Sequence, residues 1–131
     1  MKSTINYKNW VIYEDNHLII VNKPGNIPVQ SDISRDKSLI DYIKDYIKFK
    51  YNKPGNVFLG LPHRIDRPVS GIVILCKTSK SLSRVTKMFR ENKIKKIYWA
   101  IVENKINKSS GTLINYLKKN KRNNKSHWIK Q

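Results

Sequence analysis

The chain has 131 residues, 39% of them hydrophobic and 10% aromatic, which is room for one compact domain with a core of its own. No apolar run approaches the ~20 residues that span a bilayer, Met1 to Asn6 lack a signal peptide's apolar stretch, and a single cysteine, Cys76, excludes a disulfide framework or a cysteine-based zinc site. A soluble, cytoplasmic protein is expected, with a net charge of +18 from 27 basic and 9 acidic side chains.

That excess favours a polyanionic partner, because each phosphate neutralised by a cation releases a counterion. Composition offers a blander account: Lys, Ile and Asn fill about two-fifths of the chain, and 21 of the 27 cations are Lys, as in proteins of low-GC genomes. Charge alone does not decide between the two.

In chain order, Trp10–Tyr13 and Leu18–Val21 are β-prone runs joined by the polar turn Glu14-Asp15-Asn16-His17, a hairpin pattern. Ser38 is placed to cap a helix reaching about Tyr51, with Leu39, Ile40, Ile43, Ile47 and Tyr51 on one face and Pro54-Gly55 as the stop. Val57–Leu61 reads as a short strand and Ile72–Cys76 as a strand buried on both faces. Thr78 or Ser79 caps a second helix with a stripe of Leu82, Val85, Met88 and Phe89, ending at Asn92. Ile97–Val102 and Thr112–Leu117 are further strand candidates; Trp10 in the first strand candidate and Trp99 in Ile97–Val102 are expected in the core. The pentapeptide Asn-Lys-Pro-Gly-Asn occurs at 22–26 and at 52–56, and each copy predicts a type II turn with glycine at positive φ. Residues 115–131 carry six cations and no acid, so the segment reads as a solvated arm, an RNA-facing edge with Trp128 available to stack, or a frayed end. The expected fold is a single α+β domain over 1–131, a mixed, largely antiparallel sheet with two helices.

The densest chemistry lies in Leu61-Pro62-His63-Arg64-Ile65-Asp66-Arg67-Pro68-Val69-Ser70-Gly71. Asp66 between Arg64 and Arg67 would be held ionised and poorly solvated, as suits a nucleophile or a general base. Without further information the same residues are better described as an ordinary Asp–Arg ion pair that braces a loop. His17, His63 and His127 lack metal-ligand spacing, and the glycines do not form a phosphate loop.

His63 to Gly71 closely resembles the His-Arg-Leu-Asp-x-x-Thr-Ser-Gly signature of RluA-type pseudouridine synthases. Other stations follow in that family's order: Tyr13 to Pro24 resembles its opening hairpin and Asn-Lys-Pro turn, and Ile72 to Thr78 its core strand and helix entry. Lys96-Ile97-Tyr98-Trp99-Ala100 resembles its Lys-x-Tyr-x-Ala strand. The resemblance covers about Trp10 to Leu117 and implies the N-terminal half of the family's catalytic fold. It implies RNA uridine-to-pseudouridine isomerisation in ribosomal or transfer RNA, without metal or cofactor. Asp66 stands where the family has its catalytic aspartate, and Tyr98 where it has the tyrosine that stacks on the flipped base. Arg64 stands where an arginine wedges into the RNA stack, and His63, Arg67 and Lys96 are expected to contact RNA beside it. Ile65 replaces the family's Leu and Val69 its Thr. Nothing in 115–131 resembles the family's later Thr-Gly-Arg-x-His-Gln-Ile-Arg-like segment, so a truncated domain with an uncovered sheet edge and poor stability is expected, a missing C-terminal half being a candidate partner whose existence as a second polypeptide stays open. The alternatives are an inactive RNA-binding fragment of such an enzyme, or an unrelated small basic ribosome-associated protein.

Overall fold

The computed structural model describes residues 7–123 and 125–130. The chain divides into two compact units, Met1–Lys96 and Ile97–Gln131. Together they give the expected mixed α+β content with two helices and antiparallel sheets.

In the first unit a 3-10 turn, Tyr7–Trp10, leads into strands β1 (Val11–Glu14) and β2 (Leu18–Lys23). Asp15 closes the hairpin, its carboxylate accepting from the backbone N–H groups of His17 at 2.7 Å and Leu18 at 2.6 Å. This is the self-bonding turn chemistry for which aspartate is favoured. The third strand, β3 (Gly71–Cys76), pairs antiparallel with β2 in the register Ile19↔Leu75 and Val21↔Val73, giving the order β1-β2-β3.

Helix α1 (Leu39–Tyr51) starts as the sequence predicts. Ser38 and Asp41 form a reciprocal capping box, which satisfies two otherwise unpaired N–H donors. The helix ends one step before Pro54-Gly55: Asn52 adopts a left-handed φ of 47° and returns its N–H to the Lys48 carbonyl. Leu39, Ile43, Tyr46 and Ile47 form its buried face and share one core with Ile19, Val21, Val73 and Leu75. Helix α2 (Ser79–Arg90) opens with Thr78 and Ser81 in a second capping box. Its inner side carries Leu82, Val85 and Phe89, whereas Met88 of the predicted stripe is exposed.

Glu14 fastens the hairpin to α1 and to Lys77 just beyond β3. Its carboxylate, 6% exposed, accepts from Lys50 (2.7 Å), Tyr51 (2.8 Å), Tyr46 (2.9 Å) and Lys77 (2.9 Å). Burial pushes this acid's pKa up, but the four hydrogen bonds outweigh it and hold the pKa at about 2.

Several expectations are corrected. Val57–Leu61 makes no ladder, only an isolated antiparallel bridge between Gly60 and Cys76. There the chain presses against α2 so closely that a Cβ on Gly60 would lie 2.7 Å from Leu82 Cδ2. Strand β3 is not buried on both faces: Val73 and Leu75 point to the core while Ile72 is 53% exposed. Ile97–Val102 forms no strand, and Trp99 is 98% exposed rather than core. Residues prone to β structure express that preference only on a pleated surface with neighbours to pack against. Trp10 does pack against the core of the first unit.

The second unit holds one antiparallel hairpin, β4 (Tyr116–Asn120) with β5 (Lys125–Ile129). It begins later than the predicted Thr112–Leu117 and lies within the basic segment, which is therefore a ribbon rather than an arm or frayed end. Both strands are exposed throughout, with Leu117 opposite Trp128 and Lys118 opposite His127. Among the described residues no helix is long and apolar enough to cross a membrane.

Candidate active site

The loop from His63 to Gly71 is a short extended segment closed by a turn. Burial alternates along it, with His63 and Ile65 turned inward and Arg64 and Asp66 exposed. Ile65 packs against the core and so fixes which way its two neighbours face. A hydrogen bond from the Val69 N–H to the Asp66 carbonyl (3.1 Å) turns the chain back across Arg67-Pro68. Gly71 then enters β3 at φ 140°, where a side chain would be strained although there is space for one.

His63 anchors the loop's start. Its Nε2 accepts the Ile74 N–H at 2.9 Å, and its ring lies on Phe89 of α2 with centroids 4.6 Å apart. Accepting that bond requires the neutral ring. Burial lowers its pKa, and the nearby Lys96 charge lowers it further. The residue expected at an RNA surface is thus occupied on the sheet and the helix.

Lys23 anchors the other end. The period of β2 puts it on the same face as Ile19 and Val21, and its side chain is fully buried. Its ammonium donates to the carbonyls of Pro24 (2.9 Å), Ile27 (2.9 Å) and Arg67 (3.0 Å), while desolvation lowers its pKa. Gly25 lets this turn come close, since a Cβ there would stand 3.1 Å from the Pro68 carbonyl. The two copies of Asn-Lys-Pro-Gly-Asn consequently differ. The copy at 52–56 has Gly55 at φ 81°, as predicted, but in the copy at 22–26 it is Asn26 that takes positive φ, at 67°. Tertiary bonds to Lys23 override the local turn preference.

Arg67 does not flank the Asp66 carboxylate. Its guanidinium turns to the segment 26–36, donating to the Asn26 carbonyl (3.1 Å), Ser34 Oγ (3.0 Å) and the Asp36 carboxylate, with Asp32 at 3.8 Å. The bond from Arg67 is the main reason the Asp36 pKa is lowered. Among the described residues the carboxylate of Asp66 makes no hydrogen bond or ion pair, and neither does the guanidinium of Arg64. The expected poorly solvated Asp–Arg pair is replaced by an exposed acid on a loop braced from behind, because Arg67 finds two carboxylates on the facing segment.

The structure therefore brings His63, Arg64, Asp66 and Arg67 together on one loop, with Lys96 close enough to act on His63. Tyr98 belongs to the second unit, where it is 67% exposed in an irregular stretch. Sequence reasoning missed Lys23 and the acids Asp32 and Asp36. The signal for Lys23 was available, a lysine in register with two inward aliphatic residues of a strand. Nothing local marks Asp32 and Asp36, which meet Arg67 across more than thirty residues. Among the described residues no group of three or more His, Cys, Asp or Glu could hold a metal ion.

Comparison with known proteins places the chain in a family. Residues 17–131 match the family described as RNA pseudouridylate synthase. The chain is similar to the ribosomal large subunit pseudouridine synthase C of Buchnera aphidicola subsp. Acyrthosiphon pisum, 41% identical over 102 residues that make up 78% of this chain and 31% of that protein. It is also similar to the ribosomal large subunit pseudouridine synthase D of Borreliella burgdorferi, 29% identical over 88% of this chain and 36% of that one. Among solved structures, human RNA pseudouridylate synthase domain containing 4 superposes with a TM-score of 0.56 at 22% identity, over 66% of this chain and 31% of that one, a likeness of fold. The chain spans about a third of the length of the relatives it matches. With the signature loop in place between the β2 turn and β3, and a family match over most of its length, the chain belongs to the RNA pseudouridylate synthase family of RluA type.

Proposed function

We propose that this chain supplies the aspartate loop for isomerising uridine to pseudouridine in RNA, with ribosomal RNA the favoured substrate class because similar proteins are named for the large ribosomal subunit. The observation that carries this reading is the state of Asp66: exposed, unpaired among the described residues, and mounted on a loop tied down by Lys23, Arg67 and His63. A nucleophile needs an open approach and a fixed position together, since misplacement by even ~1 Å costs rate steeply.

In the proposed reaction Asp66 attacks the target uridine as the glycosidic bond from C1′ to N1 breaks. The base turns and its C5 bonds to C1′, which releases the Asp66 carboxylate; C5 then loses its proton to solvent and N1 takes one up. Reaching a uridine inside a helix requires extruding it, at a cost of a few kcal/mol. Arg64, exposed beside Asp66, is proposed to fill the gap in the stack, and Tyr98 to stack on the extruded base. Lys96 is proposed to contact the RNA backbone, whereas His63 and Arg67 act by positioning the loop. The chain itself is proposed to need no cofactor and to work in the cytoplasm, where Cys76, a buried thiol, would stay reduced.

The test is release of tritium from RNA labelled at C5 of uridine, by this chain and by its Asp66→Asn variant. Release that disappears in the variant supports the reading. Equal release from both would refute Asp66 as the nucleophile. No release from either, with RNA binding intact, would favour an RNA-binding fragment.

A further inference from the structure

Helix α2 carries a charge pattern that its packing does not explain. Its inner side (Leu82, Val85, Phe89) faces Gly60, β3 and His63. At ~100° per residue the opposite side gathers Lys80, Arg84, Lys87 and Arg90 within about a third of the circumference. All four are exposed, and Ser79–Arg90 contains no acid. Among the described residues Lys80, Arg84 and Arg90 have no ion-pair partner, and Lys87 has only Glu91 at 3.7 Å.

Like charges spaced three and four apart destabilise a helix by ~0.2–0.5 kcal/mol per pair. A lysine-rich composition does not by itself produce that arrangement. Helix α1, of similar length in the same chain, mixes Asp41 and Asp45 with Lys44, Lys48 and Lys50, and Asp45 is paired with Lys37 at 2.6 Å. Of the two helices, the unneutralised face belongs to the one whose last turn touches the signature loop, through Phe89 on His63. From there Lys95 and Lys96 continue the run of cations, and the Lys96 charge is felt at His63.

Resting on the RNA-modifying reading above, we infer that the outer face of α2 is a docking track for RNA, with Lys80, Arg84, Lys87 and Arg90 binding backbone phosphates of the strand that flanks the uridine presented to Asp66. The face bears no aromatic side chain to stack on bases and no amide to read their edges. It therefore adds affinity and alignment without sequence preference. Its length, about 15 Å from Lys80 to Arg90 at ~1.5 Å per residue, suits several successive phosphates.

The experiment uses the 131-residue chain, a fluorescent single-stranded RNA of about 20 nucleotides and anisotropy titrations between about 50 and 300 mM salt. The variant Lys80→Gln/Arg84→Gln/Lys87→Gln replaces exposed residues with a good helix former, and Arg84→Gln alone is the milder version. A control, Lys8→Gln/Lys48→Gln/Lys53→Gln, removes the same charge from exposed positions outside α2. Each phosphate contact on single-stranded nucleic acid contributes ~0.7 to the slope of log Kobs against log salt. The triple variant is expected to flatten that slope by about 2 and Arg84→Gln by about 0.7, while the control leaves it unchanged. An unaltered slope in the α2 variants, or an equal flattening in the control, overturns the docking track and leaves the proposed activity standing. Failure of the wild-type chain to bind RNA at all would overturn both.

Discussion

Replacing Lys23 by Met removes the buried ammonium that holds the Arg67 carbonyl and leaves a side chain of similar length. The structure shows what is lost: three N–H···O=C bonds of 2.9, 2.9 and 3.0 Å from a fully buried cation. Hydrogen bonds to a charged group contribute about 1.5–3 kcal/mol each, so the three together are worth roughly 5–9 kcal/mol before desolvation. Burying an ammonium costs several kcal/mol, which Met does not incur. The net loss is then about 3 kcal/mol, a fall in Tm of roughly 10–20 °C for a unit of this size. Urea unfolding followed by Trp fluorescence would measure the loss. Hydrogen exchange would locate it, because the Val69 N–H that closes the turn onto Asp66 should exchange much faster than in the wild type. A variant within about 0.5 kcal/mol of wild type, with Val69 equally protected, would refute the view that Lys23 holds this loop.

Two further outcomes follow from single residues. Glu14 has its pKa lowered to about 2 from 4.5, so the stability it contributes is fully present above pH 4.5 and is lost as pH falls toward 2. At ~1.36 kcal/mol per unit this is about 3 kcal/mol, and Glu14→Gln should remove that part of the pH dependence, seen as a shallower drop in unfolding free energy between pH 5 and pH 2.5; parallel curves for the two proteins would show that Glu14 is not the group responsible. Gly71→Ala forces a side chain onto a backbone at φ 140° and should cost about 1–3 kcal/mol in thermal unfolding, with tritium release falling as the Asp66 loop shifts; unchanged stability would mean that the turn relaxes freely.

Much of this protein was determined by the sequence alone. Both helices, their Ser38 and Thr78 caps and the β1–β2 hairpin are written in local chemistry, where each signal lies within a few residues of what it controls. The motif from His63 to Gly71 was equally legible, since its side chains are contiguous in the chain. Pairing was not legible. Val57–Leu61 and Ile97–Val102 have the composition of strands, but a ladder needs a neighbouring strand in register, and the sequence does not say which segments meet. The tertiary structure alone decided how the loop's charges are used. Arg67 sits next to Asp66 in sequence, yet it binds Asp32 and Asp36, while Lys23, forty-four residues away, takes its carbonyl. An ion pair forms wherever folding brings opposite charges within a few ångströms, and adjacency along the backbone carries little weight in that competition.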